Sequence, residues 1–304
     1  MGARQTLERH DVWVAGDRTW QRPLRLGQAL WRTAQGLPVG LHRGRPLGSR
    51  LERAHAEATG ANLLHDAGRA AVRAAIADAP RTGALIGQPR VWVDLLSSQP
   101  LCFNLFAPLQ ADLDQATVTL RRLLPDRVGR VTQVRFEWSP GRSDPRFTGD
   151  KSAFDVVFFV DTPTGGAGVV GVEVKLHEPL TDPPAAHRAR YDHLADAMGI
   201  FAPATRAALR QRPLQQLHRD HLLAGSLVQA GVVREATFVV LAPRANLAVQ
   251  PATAAYRATL LDDARFVTWD LAQVLDALEG AGPWVAAARD RYQGRVAEAE
   301  AMLR

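Results

Sequence analysis

The sequence predicts an α/β protein: a mixed sheet flanked by helices, with a core that runs helix, strand, strand, strand, helix, strand and with helical additions at both ends. Three observations predict it. Short runs rich in β-branched and aromatic residues at 128–138, 152–161 and 169–177 are separated by turn-forming residues. Longer segments with apolar residues at helical spacing lie before them, at 62–76 and 108–124, and after them, at 185–198 and 213–230. One more short run, "ATFVVLAP" at 236–243, completes the order.

Each element has a local reason. Residues 1–60 carry Trp13, Trp20, Trp31, many arginines and the Gly/Pro/Arg run "LPVGLHRGRPLGS", which reads as a loop within an N-terminal arm. Asn62 stands where a cap for the helix 62–76 belongs. Pro108 suits the first turn of the helix 108–124. "VGRVTQVRFEW" alternates and stops at "SPGRSDP". "SAFDVVFFVD" is apolar almost throughout, as a strand covered on both faces is. "TPTGGAG" is a hairpin loop and "VVGVEVKLH" its return strand. The expected division is a mostly helical accessory region at 1–90, the core at 91–250, and a C-terminal strand and helices at 251–304 packed on that core.

Composition bounds the function. With 304 residues and 46% hydrophobic content the chain can bury a substantial core. It has no apolar run of about 18 residues and no charged-then-apolar leader, so no membrane association is expected and the cytoplasm is the expected location. A single cysteine, Cys102 in "LCFNLF", excludes an internal disulfide and a thiolate zinc cluster. The formal net charge of +6 favours a polyanionic partner. Between Arg121 and Arg146, seven arginines stand against Asp126, Glu137 and Asp144. No phosphate-cradling Gly-rich loop ending in Lys-Ser/Thr occurs, and no Gly-x-Ser-x-Gly elbow.

The chemistry gathers in "GVEVKLHE", residues 171–178. Of the 37 basic residues only Lys151 and Lys175 are lysine, so a lysine at 175 runs against the composition. Alternation along a strand puts Val170, Val172, Val174 and Leu176 on one face and Glu173, Lys175 and His177 on the other. Asp155 is the lone charge in "SAFDVVFFV" and must be paired, hydrogen-bonded or bound to a cation. If Asp155 and Glu173 face each other across the hairpin, each raises the other's pKa unless a cation lies between them. Mg2+, or Mn2+ in its place, suits two carboxylates, and the backbone carbonyl of Val174 offers a further oxygen. Lysine is a compact, titratable point charge able to orient or activate a water; arginine is neither compact nor titratable.

Asp155, the loop, and then Glu173-Val174-Lys175 resemble the PD-(D/E)XK nuclease superfamily. "GDKSAFDVVFFV…GVVGVEVKLHE", "PLQQLHRDHLLA" and "LLSSQPLCFNLFAPL" are similar to a restriction-endonuclease-like bacterial branch of it, over about residues 30–250. The resemblance implies a restriction-endonuclease-like fold and metal-dependent cleavage of DNA. It implies Asp155 and Glu173 as metal ligands and Lys175 as the water-activating residue. The proline expected before the first acid is replaced by Phe154. A cleaver of both strands needs two sites, so a homodimer is expected. The competing readings are an inactive nucleic-acid-binding protein on the same fold, and a repair or junction nuclease with the same chemistry.

Other residues are auxiliary candidates. Glu137, on the predicted face of Arg135 and Gln133, is a possible third acid or a partner for a nearby arginine. His177 and Ser152 are placed to contact a phosphate or simply to end and begin their strands. In the resembled family a polar residue on the helix after Glu-x-Lys points back to the metal, which nominates Gln216 or Gln215. On that helix Leu214, Leu217, His221 and Val228 form the predicted apolar stripe, with Arg219 and Asp220 away from it. Arg135, Arg142, Arg146, Lys151 and Arg219 are the nominated nucleic-acid contacts.

Overall fold

The computed structural model describes residues 2–304. An antiparallel hairpin of β1 (Val39–His42) and β2 (Arg45–Leu51) stands apart from the main sheet. The main sheet has the order β3-β4-β5-β6-β7. β3 (Arg130–Trp138), β4 (Phe154–Asp161) and β5 (Ala167–Val174) pair antiparallel, whereas β6 (Glu235–Ala242) runs parallel to β5 and β7 (Phe266–Asp270) parallel to β6. The predicted mixed sheet flanked by helices is what forms.

Burial explains the order. Every residue from Gly168 to Val174 is buried, so β5 takes the centre of the sheet with apolar side chains on both faces. Val170, Val172 and Val174 join Val156, Phe158, Val239 and Leu241 on one face. The helices Ser98–Ala111 and Leu113–Leu123 cover it with Leu101, Leu105, Phe106 and Leu120. On the other face Val157, Val169, Phe238 and Val240 pack against Leu217 and Leu223 of the helix Leu214–Gln229, and against Tyr256 of the helix Val249–Arg257. The Ser98–Ala111 helix is apolar nearly all round because its outer side, Phe103 and Ala107, meets an N-terminal layer containing Trp31 and Trp92.

The two ends of the chain are tied together. The helix Arg295–Leu303 packs on the helix Gln21–Ala34, with Ala299 against Leu7, Leu26 and Ala29. Arg291 is wholly buried; its Nε donates to Gln28 Oε1 at 2.9 Å and its Nη atoms to Asn62 at 2.8 and 2.7 Å, with the guanidinium 4.0 Å from the Trp31 ring centre.

Several local expectations are corrected. The run "LPVGLHRGRPLGS" is no loop but the β1–β2 hairpin, turned at Arg43 and Gly44 with φ of 51° and 78°, the positive pair a two-residue hairpin turn requires. The helix expected from 62 begins at Asp66, capped by His65, whose Nδ1 accepts from Gly68 N–H at 2.8 Å. Asn62 is instead a buried clamp donating to the carbonyls of Val91 and Asp94. The segment 108–124 splits at Asp112: Pro108 sits inside the preceding helix, and Asp112 caps the next by accepting from Gln115 N–H at 2.8 Å. β5 ends at Val174, so Lys175 and His177 lie just past the strand.

One glycine bears on the site. A methyl group at Gly171 would lie 2.5 Å from Cε1 of Phe154, the fully buried residue that precedes Asp155. Gly171→Ala is therefore expected to overpack the sheet and lower stability by about 1–3 kcal/mol in urea unfolding. An unchanged midpoint and slope would contradict this packing.

Candidate active site

The site lies where β4 and β5 part. Their ladder ends at Val156↔Val172, and the next available β5 N–H, that of Val174, is taken by the side chain of Asp155, whose Oδ2 accepts at 2.7 Å. Lys175 N–H stays on β6, donating to the Leu241 carbonyl at 2.8 Å. A side chain thus replaces backbone pairing at the fork, and the lone acid of β4 is held beside the end of β5.

The β3 side of the fork is irregular. Phe136 and Val156 pack with one core cluster, but Trp138 and Phe154, two residues along each strand, pack with the other. The inversion falls at Glu137 and Asp155, and Glu137 has φ of 47°, a left-handed conformation costly for glutamate. Simple alternation, which put Glu137 beside Arg135 and Gln133, therefore fails there. Glu137 Oε1 accepts from Gln99 Nε2 at 2.6 Å. Arg142 Nη2 donates to the Glu137 carbonyl at 3.1 Å and lies 4.0 Å from Oε2.

Glu173 and Lys175 are 6% and 8% exposed. Glu173 Oε1 accepts from Lys175 Nζ at 2.7 Å and from Gln216 Nε2 at 2.6 Å. Of the two nominated glutamines, Gln216 turns to the site, while Gln215 donates to the Ala185 carbonyl at 3.1 Å.

Burial pushes Asp155 well above the usual carboxylate range, and the charges of Glu173 and Glu137 push the same way against Lys175 and the Val174 N–H. Burial also raises Glu137 to about 7, helped by Glu173 and opposed by the Gln99 hydrogen bond, Arg142 and Arg90. For Lys175 burial acts to lower the pKa, but Glu173 and Asp155 outweigh it and hold the group above the usual lysine value. The lysine is an ammonium here, a group that donates to a water rather than taking a proton from it.

The other nominated residues are distributed around the fork. His177 Nδ1–H donates to the Leu96 carbonyl at 3.0 Å. Ser152 bonds Asp150 through its hydroxyl at 2.9 Å and its N–H at 2.8 Å. Arg219 Nε lies 3.5 Å from Asp150 Oδ2. Arg142 turns inward, its Nη1 donating to the Lys151 carbonyl at 2.7 Å. Lys151 is exposed, Arg146 pairs with Asp144 at 2.7 Å, and Arg135 lies 5.6 Å from the Phe159 ring centre.

Four residues of the site escaped the sequence reading. Gln99 holds Glu137. Glu178 accepts from the N–H groups of Ser98, Leu176 and His177 at 2.8, 2.9 and 3.1 Å, stitching the chain after Lys175 to the start of a helix. Asp150 gathers Thr148, Ser152 and Tyr191 Oη, the last at 2.6 Å. Asp220 is 3% exposed, and its Oδ2 has no partner. Burial, then the charge of Glu173, push Asp220 well above the usual range. The expected apolar stripe misplaced it: Val228 is 39% exposed, and Asp220 faces inward.

The donor set suits a hard divalent cation. Among the described residues no three His, Cys, Asp or Glu side chains converge as a metal cluster. Asp155 and Glu173 are the two-carboxylate arrangement that Mg2+ accepts with waters and phosphate, and the mutual repulsion that raises Asp155 is what a cation would relieve.

A mixed sheet between helices, opened beside an Asp on one strand and a Glu-x-Lys on the next, defines a restriction-endonuclease-like nuclease fold. The family model of the PD-(D/E)XK nuclease superfamily matches residues 15–294, and the chain belongs to that superfamily. No curated protein and no solved structure matches the chain.

The raised Glu137 has a pH signature. The folded state keeps its proton up to about 7, while the unfolded chain releases it near the ordinary 4.5, so this group lowers stability as pH rises across that window. His10, His65, His218 and His221, whose pKa values are lowered chiefly by burial, act in the opposite direction. Comparing wild type with Glu137→Gln in divalent-free buffer cancels them. The variant is expected to gain stability relative to wild type as pH rises through the window in denaturant titrations; a pH-independent difference would contradict the burial of this acid.

Proposed function

We propose that the protein is a metal-dependent endonuclease that hydrolyses DNA phosphodiester bonds. Asp155 and Glu173, with the Val174 carbonyl, hold Mg2+ or Mn2+. The observation that carries the reading is the Lys175 ammonium at 2.7 Å from Glu173 Oε1, both nearly closed off from solvent, beside the half-buried Asp155. When bound, the cation supplies Lewis acidity toward a phosphoryl oxygen and lowers the pKa of a coordinated water.

The chain's own groups do the rest. Lys175, charged at neutral pH, orients the attacking water by donating to it and offsets the negative charge that grows on the phosphoryl oxygens. Gln216 fixes the carboxylate of Glu173 so that its remaining oxygen can serve as ligand. Glu137 is the auxiliary acid, held by Gln99 and Arg142. Arg142 acts through Glu137 rather than on substrate. Arg135, Arg146, Lys151 and Arg219 are the phosphate contacts of this reading, and two chains act together where both strands are cut.

Incubation with supercoiled plasmid and Mg2+ or Mn2+ tests this directly. Wild type is expected to nick or linearise the plasmid, and Asp155→Asn and Lys175→Ala to be slower by about 100-fold or more. Lys175→Arg keeps the charge but not the compact head, and is expected to lose activity to a similar degree. Equal rates in all variants would refute the assignment, and a wild-type rate in Lys175→Arg alone would refute the role given to the lysine.

A further inference from the structure

Positive charge without an ion-pair partner also lies away from the arginines that the sequence nominates. In the stretch Arg121–Arg146, Arg122 donates to the carbonyls of Ala277 and Glu279, Arg130 pairs with Asp161, Arg142 turns inward, and Arg146 pairs with Asp144. From Arg18 to Leu51, by contrast, the chain has seven arginines and no Asp or Glu. Arg25 and Arg32 of that stretch are used internally, on Asp17 and on the carbonyls of Gly48 and Leu37. The tip of the β1–β2 hairpin is not: residues 41–46, "LHRGRP", are all exposed. Among the described residues neither Arg43 nor Arg45 has an ion-pair partner.

The hairpin is a projecting, well-anchored ribbon. Its stem is fixed by Gly48 N–H on the Asp11 carbonyl at 2.8 Å and by the buried Leu51. Leu41 stands 62% exposed next to the basic tip, a position no folding requirement explains. The stem shares its support with the active site. Leu95 N–H donates to the Ser49 carbonyl at 3.1 Å, and Arg50 bridges Asp94. One residue on, the Leu96 carbonyl accepts from His177, and Gln21 Nε2 donates to the His177 carbonyl at 3.0 Å. His177 is two residues past Lys175. From Ser49 to Gly44 an extended strand reaches about 17 Å.

We propose that the β1–β2 hairpin is a duplex-DNA-binding arm, which enters the major groove beside the segment held at the Asp155–Glu173 site. A two-stranded ribbon fits the roughly 12 Å major groove of B-form DNA, whereas the deep, narrow major groove of an RNA duplex excludes it. Arg43 and Arg45 neutralise phosphates on the groove walls, and Leu41 presents an apolar contact to base edges. This rests on reading the site as a DNA nuclease and adds which form of the polymer it takes.

The test is binding, read without cleavage. The full chain is titrated into a fluorescent 30-base-pair DNA duplex, its single strand, and an RNA duplex of the same length, in EDTA and across a KCl series. Arg43→Asn with Arg45→Gln removes the charges while keeping a residue that tolerates the positive φ of the turn. The pair is expected to weaken duplex DNA binding about tenfold at moderate salt and to reduce the slope of log K against log[KCl] by about 1.8, or 0.9 per lost phosphate contact. Arg43→Lys with Arg45→Lys is expected to keep the wild-type slope, and Leu41→Ser to weaken binding without changing it. Unaltered melting temperatures in all variants establish that the fold is intact. Unchanged duplex affinity and slope in the charge-removed variant would overturn the proposal, as would an equal loss on single-stranded DNA or on the RNA duplex. A wild-type protein that binds duplex through this hairpin yet leaves plasmid uncut in Mg2+ would instead refute the nuclease reading and leave the arm standing.

Discussion

The structure is organised around one electrostatic constraint: Asp155 and Glu173 are held in one fork, where desolvation and then the charge of Glu173 keep the Asp155 carboxyl above its usual range. A stable apolar sheet would not arrange itself this way unaided. It does so here because the Val174 N–H donates to Asp155 Oδ2 rather than to a β4 carbonyl, while Lys175 and Gln216 both donate to one oxygen of Glu173. These bonds hold the two acids side by side, and a divalent cation is what would offset the charge of Glu173 on Asp155.

The surrounding elements serve that condition. Glu178 ties the end of the site strand to the start of the helix Ser98–Ala111, and Gln99 of that helix donates to the side chain of Glu137, whose backbone is left-handed. The same helix is buried between the sheet and the N-terminal layer, so the site is mounted on a helix packed on both sides. Arg291 fixes the N-terminal layer through Asn62, and Asn62 in turn holds the Val91 and Asp94 carbonyls, next to the segment that carries His177. The hairpin grows from that layer, which places a basic ribbon on the scaffold that supports the candidate site.

Much of this was legible in the sequence, for identifiable reasons. Asp155 and Lys175 stand out because each breaks a local rule, the acid in an apolar strand and the lysine in an arginine-rich chain. The strands of the sheet followed from β-branched runs bounded by turn residues. What escaped depends on three-dimensional context. Asp220 was placed away from the apolar stripe because periodicity assumes one buried face, and this helix is buried on more than one side. Glu137 was placed by alternation, which a single positive φ reverses. The hairpin was read as a loop because its turn uses Arg-Gly where Asn-Gly or Asp-Gly gives the usual signal. Gln99 and Glu178 bond across the fold to Glu137 and Ser98, and no spacing in the sequence brings those groups together.

The central claim is that Asp155 and Glu173 share one divalent cation. Direct titration of Mn2+ into the DNA-free protein, followed by the loss of the free-ion electron paramagnetic resonance signal, tests it most directly. The account predicts one bound ion per chain in the wild type, lost in both Asp155→Asn and Glu173→Gln; binding that survives either substitution unchanged would contradict it.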